Sequence, residues 1–223
     1  GALDQAEQDQ AIVMLVGQPG IFSAGYDLKE LQQGGDAIVK LVATGSQFTR
    51  RLLAFPLPVI GVCTGNCIAK GAFIMLSCDY RIGVEGPFTI GLNETKIGMT
   101  ADVGTFPRIV KLVPEGLVRE MAYTGRKVSA NEALEMGLVN RVYETQNAML
   151  AGVMSIAQEI AENAPLAVYG CKRAITYARD HTTQEGLEWI NLWNASMLQN
   201  DEISEAMSAR QEKRPGVFAD LPA

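Results

Sequence analysis

The sequence contains a single histidine, His181, among 223 residues. Any Ser-His or Cys-His nucleophilic pair would have to recruit it from the polar, helix-like stretch ARDHTTQEG, which makes such chemistry a poor candidate. There are four cysteines, Cys63, Cys67, Cys78 and Cys171, all in apolar surroundings. Cys63 and Cys67 stand at C-x3-C spacing, but a metal centre needs a fuller ligand set than that. They read as buried free thiols, which implies a reducing compartment and no bound metal. No apolar run approaches the ~20 residues that cross a bilayer, so no membrane span is expected. Basic residues are outnumbered, 19 Lys and Arg against 25 Asp and Glu, for a net charge of −6. That balance disfavours nucleic acid and other polyanionic partners. No linker, low-complexity tract or clear repeat interrupts the chain. The opening GALDQAEQDQ lacks a residue to cap a helix start and reads as the end of an amphipathic helix. The chain is therefore expected to begin inside a domain, where a targeting signal could not be read.

Hydrophobic residues make up 48% and charged residues 20% of the sequence, as in ordinary globular proteins. AIVMLVG (11–17) and PVIGVC (58–63) are apolar runs of strand length, expected to be buried on both faces. Residues 36–54 carry Ile38, Leu41, Val42, Phe48, Leu52 and Leu53 at mostly helical spacing, and Pro56 and Pro58 end that helix. GNCIAKGAFIMLS (65–77) reads as a small-residue loop running into a buried helix. CDYRIGVE and FTIG read as short strands broken by Gly86-Pro87. SANEALEMG (129–137) opens with a capping-box pattern, Ser129 and Glu132, and closes on Gly137; LVNRVY (138–143) is a last strand. Helices are expected at 147–163, 165–180, 183–198 and 202–213. Strand and helix alternate first and only helices follow, which predicts an α/β core over 1–145 and a helical region over 146–223.

Three places could carry chemistry. At FSAGYDLKEL (22–31) a strand leads through Ser23, Ala24 and Gly25 into a helical turn. At 65–77 a strand leads through Ala69-Lys70-Gly71 into a helix. Each junction leaves backbone N–H groups unsatisfied, and two that converge on one carbonyl oxygen form an oxyanion hole. Taken alone, either loop is more often just a tight turn. The third place, GLNETKIGMTADVG (91–104), holds Glu94 and Asp102 among apolar neighbours. Desolvation raises a carboxyl pKa and suits it to proton transfer. The plainer alternatives are a solvated or capping Glu94 and an Asp102 that caps VGTFPRIV.

Together, FSAGYDLKEL, GNCIAKGAFIMLSCDYRI and IGLNETKIGMTADVGTFPRIV resemble, in order and spacing, the hallmark segments of the crotonase superfamily, the enoyl-CoA hydratase/isomerase family. GRKVSANEALEMGLVNRVY resembles the family's next segment, and QEKRPGVF its usual closing stretch. The resemblance covers nearly the whole chain and implies a spiral of ββα units with a C-terminal helical trimerisation region, often in dimers of trimers. Against that pattern the first β-hairpin is missing from the sequence given. It also implies an acyl-CoA thioester substrate and no separate cofactor, CoA being part of the substrate. By position, the N–H groups of Ala24 and Lys70 form the oxyanion hole, and Ser23, Gly25, Tyr26, Asp27, Leu28, Gly71, Phe73 and Ile97 surround the substrate. Lys70 departs from the family's glycine triplet, and its Cβ is expected to restrict the backbone there.

The acid–base positions point to a reaction. Hydratases of this family use two glutamates, and here the first position is Phe73 and the second Glu94. Hydration needs one group for the water and one for the α proton, which Phe73 cannot supply. An isomerase needs only a carboxylate that takes a proton from one carbon and returns it to another. Glu94 with an apolar Phe73 resembles the Δ3,Δ2-enoyl-CoA isomerases. ADVGT resembles the dienoyl-CoA isomerases, where Asp102 would pair with Glu94, although that subfamily has an acidic residue at the position of Phe73. The expectation is an isomerase with Glu94 as principal acid–base group and Asp102 as second carboxylate. The alternatives are a hydratase or other crotonase reaction, or a non-catalytic acyl-CoA-binding protein of this fold. The compartment implied is the cytoplasm in a bacterium, and otherwise mitochondrion or peroxisome.

Overall fold

Strands enter this chain in pairs, and each pair is divided between two sheets. After α1 (Ala2–Gln8), β1 (Val13–Val16) and β2 (Gly20–Ser23) lead into α2 (Leu28–Gln32) and α3 (Gly35–Ala54). β3 (Val59–Cys63) and β4 (Gly65–Ile68) lead into α4 (Lys70–Leu76). β5 (Tyr80–Val84) and β6 (Thr89–Gly91) lead into a 3-10 turn at Glu94–Ile97, α5 (Thr105–Ile109) and α6 (Glu115–Thr124). β7 (Lys127–Ser129), α7 (Ala130–Glu135) and β8 (Arg141–Tyr143) follow, and then α8 (Gln146–Ala161), α9 (Pro165–Asp180), α10 (Thr183–Met197) and α11 (Asn200–Glu212). The computed structural model describes residues 1–101 and 104–221.

The sheet orders are β1-β3-β5-β8 and β2-β4-β6-β7. β3, β5 and β8 are parallel neighbours, as are β2, β4 and β6, while β7 is antiparallel to β6. Each ββα unit thus adds one strand to each sheet, which is the spiral that the family resemblance implies. Residues 14–55 and 59–153 form one compact unit; residues 1–13, 56–58 and those from Met154 onward form another.

In the strand-bearing unit every residue of β3 is buried, as a run of Val, Ile and Cys demands. Ile60, Met75, Leu76, Ile82, Phe88, Ile90, Leu92 and Met121 complete a core of fully buried side chains. Each contributes roughly 1.5–3 kcal/mol by leaving water. β1 differs from expectation: it lies at a sheet edge, its residues are only half-buried and Val16 is 51% exposed. An apolar run fixes strand preference, but burial of both faces requires neighbours on both sides. β2, β4 and β7 are strands that the sequence does not announce. They are three or four residues long and owe their form to pairing, as at Gly20 with Gly65 and Thr89 with Ser129. α3 ends at Ala54 because Pro56 holds Phe55 extended, at φ −58° and ψ 133°. The α7 cap forms as expected: the Glu132 N–H donates to Ser129 Oγ at 3.3 Å, and the Ser129 N–H donates to Glu132 Oε2 at 2.9 Å. That backbone hydrogen bond, followed by Arg126, holds the Glu132 carboxyl below its ordinary pKa.

The helical unit contains a ladder of rings. Tyr169, Trp193, Trp189, Tyr177 and His181 follow one another at centroid separations of 5.6, 5.2, 5.6 and 3.7 Å along α9 and α10. His181, stacked on Tyr177, caps the end of α9. Three cysteines are buried as expected, but Cys171 is exposed. Leu166 and Gly170 mark the buried stripe of α9, and Cys171 sits one residue, about 100°, off it. Apolar neighbours in sequence therefore do not place Cys171 inside. No helix among the described residues is long and apolar enough to cross a membrane.

Candidate active site

The three segments singled out in the sequence meet at one cavity of about 300 Å³ in the strand-bearing unit. Ala24, Tyr26, Leu28 and Leu31 line it from the stretch after β2, Val42 from α3, and Ala69 and Lys70 from the start of α4. Glu94, Ile97, Met99, Thr100 and Ala101 line it from the 3-10 turn and the residues beyond. Of the expected site residues, Ala24, Tyr26, Leu28, Lys70, Glu94 and Ile97 therefore face one space. Asp102 lies outside the described residues.

The remaining expected residues act on the walls. The Ser23 hydroxyl accepts a hydrogen bond from the Gly25 N–H at 3.2 Å, which tightens the loop. Gly25 has φ +95°, and a Cβ there would lie 3.1 Å from the Lys70 backbone nitrogen. Gly71 presses against the Ser23 carbonyl, so that a methyl group at residue 71 would overlap it. Two close approaches thus bind the first loop to the start of α4 and bring Ala24 and Lys70 to the same cavity. Asp27 caps α2, accepting from the Lys29 N–H at 2.8 Å, and points to solvent rather than into the cavity. Phe73 is 3% exposed and does not line the cavity; its ring packs against Gly104 behind it.

Backbone strain falls one residue before its expected place. Lys70 is the first residue of α4, whereas Ala69, the residue preceding it, has φ +51° and ψ −122°. A Cβ in that region costs about 1–3 kcal/mol and persists only where the surroundings enforce it. The parallel pairing of β4 with β6 and the hydrogen bond from the Ala69 N–H to Gly91 O at 3.0 Å supply that enforcement.

Glu94 opens the 3-10 turn, is 7% exposed and has an Oε2 sealed from solvent. The turn is anchored by Thr95 Oγ1 donating to Ala122 O of α6 at 2.9 Å and closes on Gly98 in the left-handed region, at φ +74°. Lys70 is buried to the same degree as Phe73, with Nζ 4.7 Å from the Phe73 ring centroid and 5.5 Å from that of Tyr26. Among its described residues the cavity therefore combines apolar walls with a buried carboxylate and a buried ammonium, the arrangement in which charge acts most strongly. In β4, burial foremost, and Cys63 after it, push the Cys67 thiol well above its ordinary pKa. Sequence reasoning did not single out Leu31, Val42, Met99, Thr100 or Ala101 as site residues. No pattern marks them, because helix spacing shows which residues turn inward but not which cavity they reach.

The enoyl-CoA hydratase/isomerase family model matches residues 1–221. The mitochondrial Δ(3,5)-Δ(2,4)-dienoyl-CoA isomerase of Mus musculus is 33% identical over 221 residues, covering 93% of this chain and 67% of that protein. The peroxisomal enzyme of the same name from Arabidopsis thaliana is 31% identical, covering 99% of this chain and 83% of its own. Carnitinyl-CoA dehydratase of Salmonella enteritidis is also 31% identical, with 96% and 83% covered. Among solved structures, an enoyl-CoA hydratase from Bacillus anthracis superimposes with a TM-score of 0.90 at 30% identity, covering 97% of this chain and 85% of that one.

Proposed function

We propose that this chain, which belongs to the enoyl-CoA hydratase/isomerase family of the crotonase superfamily, is an isomerase that moves a carbon–carbon double bond in an enoyl-CoA or dienoyl-CoA. The observation that carries this reading is the cavity itself: among its described lining residues there is one carboxylate, Glu94, facing Ala24 and Lys70. Phe73, at the position where a hydratase would place its other acid, is apolar and stands outside the lining.

The thioester carbonyl accepts hydrogen bonds from the Ala24 and Lys70 N–H groups. Glu94 removes a proton from the carbon next to the carbonyl, and the C–H electron pair enters a dienolate whose negative oxygen those donors stabilise. Return of the proton to the far end of the conjugated path completes the shift. A 3-enoyl substrate needs Glu94 alone, and the longer path of a 3,5-dienoyl substrate uses Asp102 as the second carboxylate. Neither step calls for a metal or redox cofactor, since CoA belongs to the substrate. The helical region serves as the assembly surface of a trimer or a dimer of trimers.

The test is turnover of 3-enoyl-CoA and 3,5-dienoyl-CoA by the wild-type protein, Glu94→Gln and Asp102→Asn. Glu94→Gln is expected to lose about 10²–10⁴-fold in kcat on both, the range of general acid–base catalysis. Asp102→Asn is expected to lose activity on the dienoyl substrate only. An active Glu94→Gln variant would refute the assignment.

A further inference from the structure

We infer that the Lys70 side chain, and not only its backbone N–H, is part of the electrophilic machinery of this site: its ammonium stabilises negative charge on the thioester oxygen. The inference rests on the acyl-CoA reading above. Lysines are almost never as buried as this one, which is 3% exposed, because taking a charge out of water is costly. The fold nevertheless gives the ammonium a defined seat, with Nζ over the faces of two rings, Phe73 at 4.7 Å and Tyr26 at 5.5 Å. Both rings are held from behind, Phe73 against Gly104 and Tyr26 against Gly45. Lys70 and Tyr26 line the same cavity, whose other walls at Leu28, Val42 and Ile97 are apolar. A fixed cation in a low-dielectric site acts far more strongly on a developing oxyanion than it would in water and needs no reorganisation when the charge appears. The ammonium also belongs to the residue whose N–H is the assigned donor, so one residue offers two positive groups to the same cavity.

A conjugated 2,4-dienoyl-CoA reports this directly, because polarising its carbonyl moves its ultraviolet absorption to longer wavelength. The wild-type protein and Lys70→Arg are expected to red-shift the bound thioester. Lys70→Met, which keeps the apolar stem and the N–H, is expected to bind within about threefold of wild type with a smaller red shift, the part that remains being due to the two N–H donors. In turnover, Lys70→Met should lose about 100-fold in kcat, on the scale of one oxyanion donor, with KM nearly unchanged and partial recovery in Lys70→Arg. Lys70→Gln gives the same readouts if the Met variant does not fold. A full red shift and undiminished kcat in either truncation, or a wild-type complex with no red shift, overturns the inference. Wild-type protein that red-shifts the dienoyl thioester but isomerises neither substrate removes the isomerase reading and leaves the Lys70 inference standing. Wild-type protein that binds no dienoyl-CoA removes both.

Discussion

Two cavities of this protein differ in kind, and the larger is the less chemical. In the helical unit, α9, α10 and α11 enclose about 380 Å³ lined by Leu166, Ala167, Ala174, Ile190, Trp193, Met197 and Ile203, with Cys171, Asn194 and Glu202 at its wall. The cavity of about 300 Å³ in the strand-bearing unit is smaller, but two of its described lining residues carry an ammonium and a carboxylate, each more than nine-tenths buried. Amphipathic helices leave apolar gaps wherever their stripes diverge, at little free-energy cost. Burying Glu94 and Lys70 is unfavourable by itself and demands fixed surroundings, supplied here by strand pairing, a strained residue and two glycine contacts. Bound-in charge, rather than volume, separates a site from a packing gap.

Exchanging carboxylates across the two cavities is the sharpest way to break that contrast. Glu94→Gln should lose about 10²–10⁴-fold in kcat. Glu202→Gln, in the larger cavity, should leave kcat within about twofold; a comparable loss there would show that the helical cavity takes part in the reaction. Next in size is Gly71→Ala, where the added methyl overlaps the Ser23 carbonyl. It should destabilise the protein by about 1–3 kcal/mol, as overpacking does, and lower activity beyond what the loss of folded protein accounts for. Denaturant unfolding beside kcat on the folded fraction checks both parts.

Ala69→Gly acts in the opposite direction. It removes the strain of a Cβ at φ +51°, which outweighs the extra freedom glycine gives the unfolded chain. A gain of about 1 kcal/mol follows, and a fall in unfolding midpoint would show that Ala69 is not strained. The smallest effect belongs to the helical unit, where Arg214 pairs with Glu205 through Nη1–Oε1 at 2.5 Å and Nη2–Oε2 at 2.9 Å. Arg214, followed by the Val217 N–H, holds the Glu205 carboxyl at about 2. A carboxyl lowered on folding stabilises the folded state above its ordinary pKa of 4.5, and that stabilisation fades as pH falls from there to about 2. The pair is partly exposed and screened by solvent, so the contribution is slight. The difference in Tm between wild type and Arg214→Gln should be present at pH 6 and close over that acid range.

Much of the fold is legible in the sequence where local physics decides it. Residues 36–54 form a helix ended by Pro56, Ser129 and Glu132 form their capping box, and the last third is helical. β2, β4 and β7 are illegible because short strands with small or mixed residues acquire their form from partners distant in sequence. Glu94, Ala24 and Lys70 are legible as candidates from the three segments in which they lie, and the structure brings them to one cavity. The strain at Ala69 and the withdrawal of Phe73 from the lining are not, since each depends on what the fold brings against that residue.

By itself the sequence determines the helical periods and their stops, the apolar runs that become β3 and the core, and the chemistry available at residues 24, 70 and 94. Tertiary structure alone decides that these three residues share one cavity, that Lys70 is sealed between two rings, that β1 is an edge and that Cys171 faces outward. The physical reason is range. Propensity, capping and periodicity act within a few residues, whereas burial and convergence depend on contacts between segments that lie tens of residues apart.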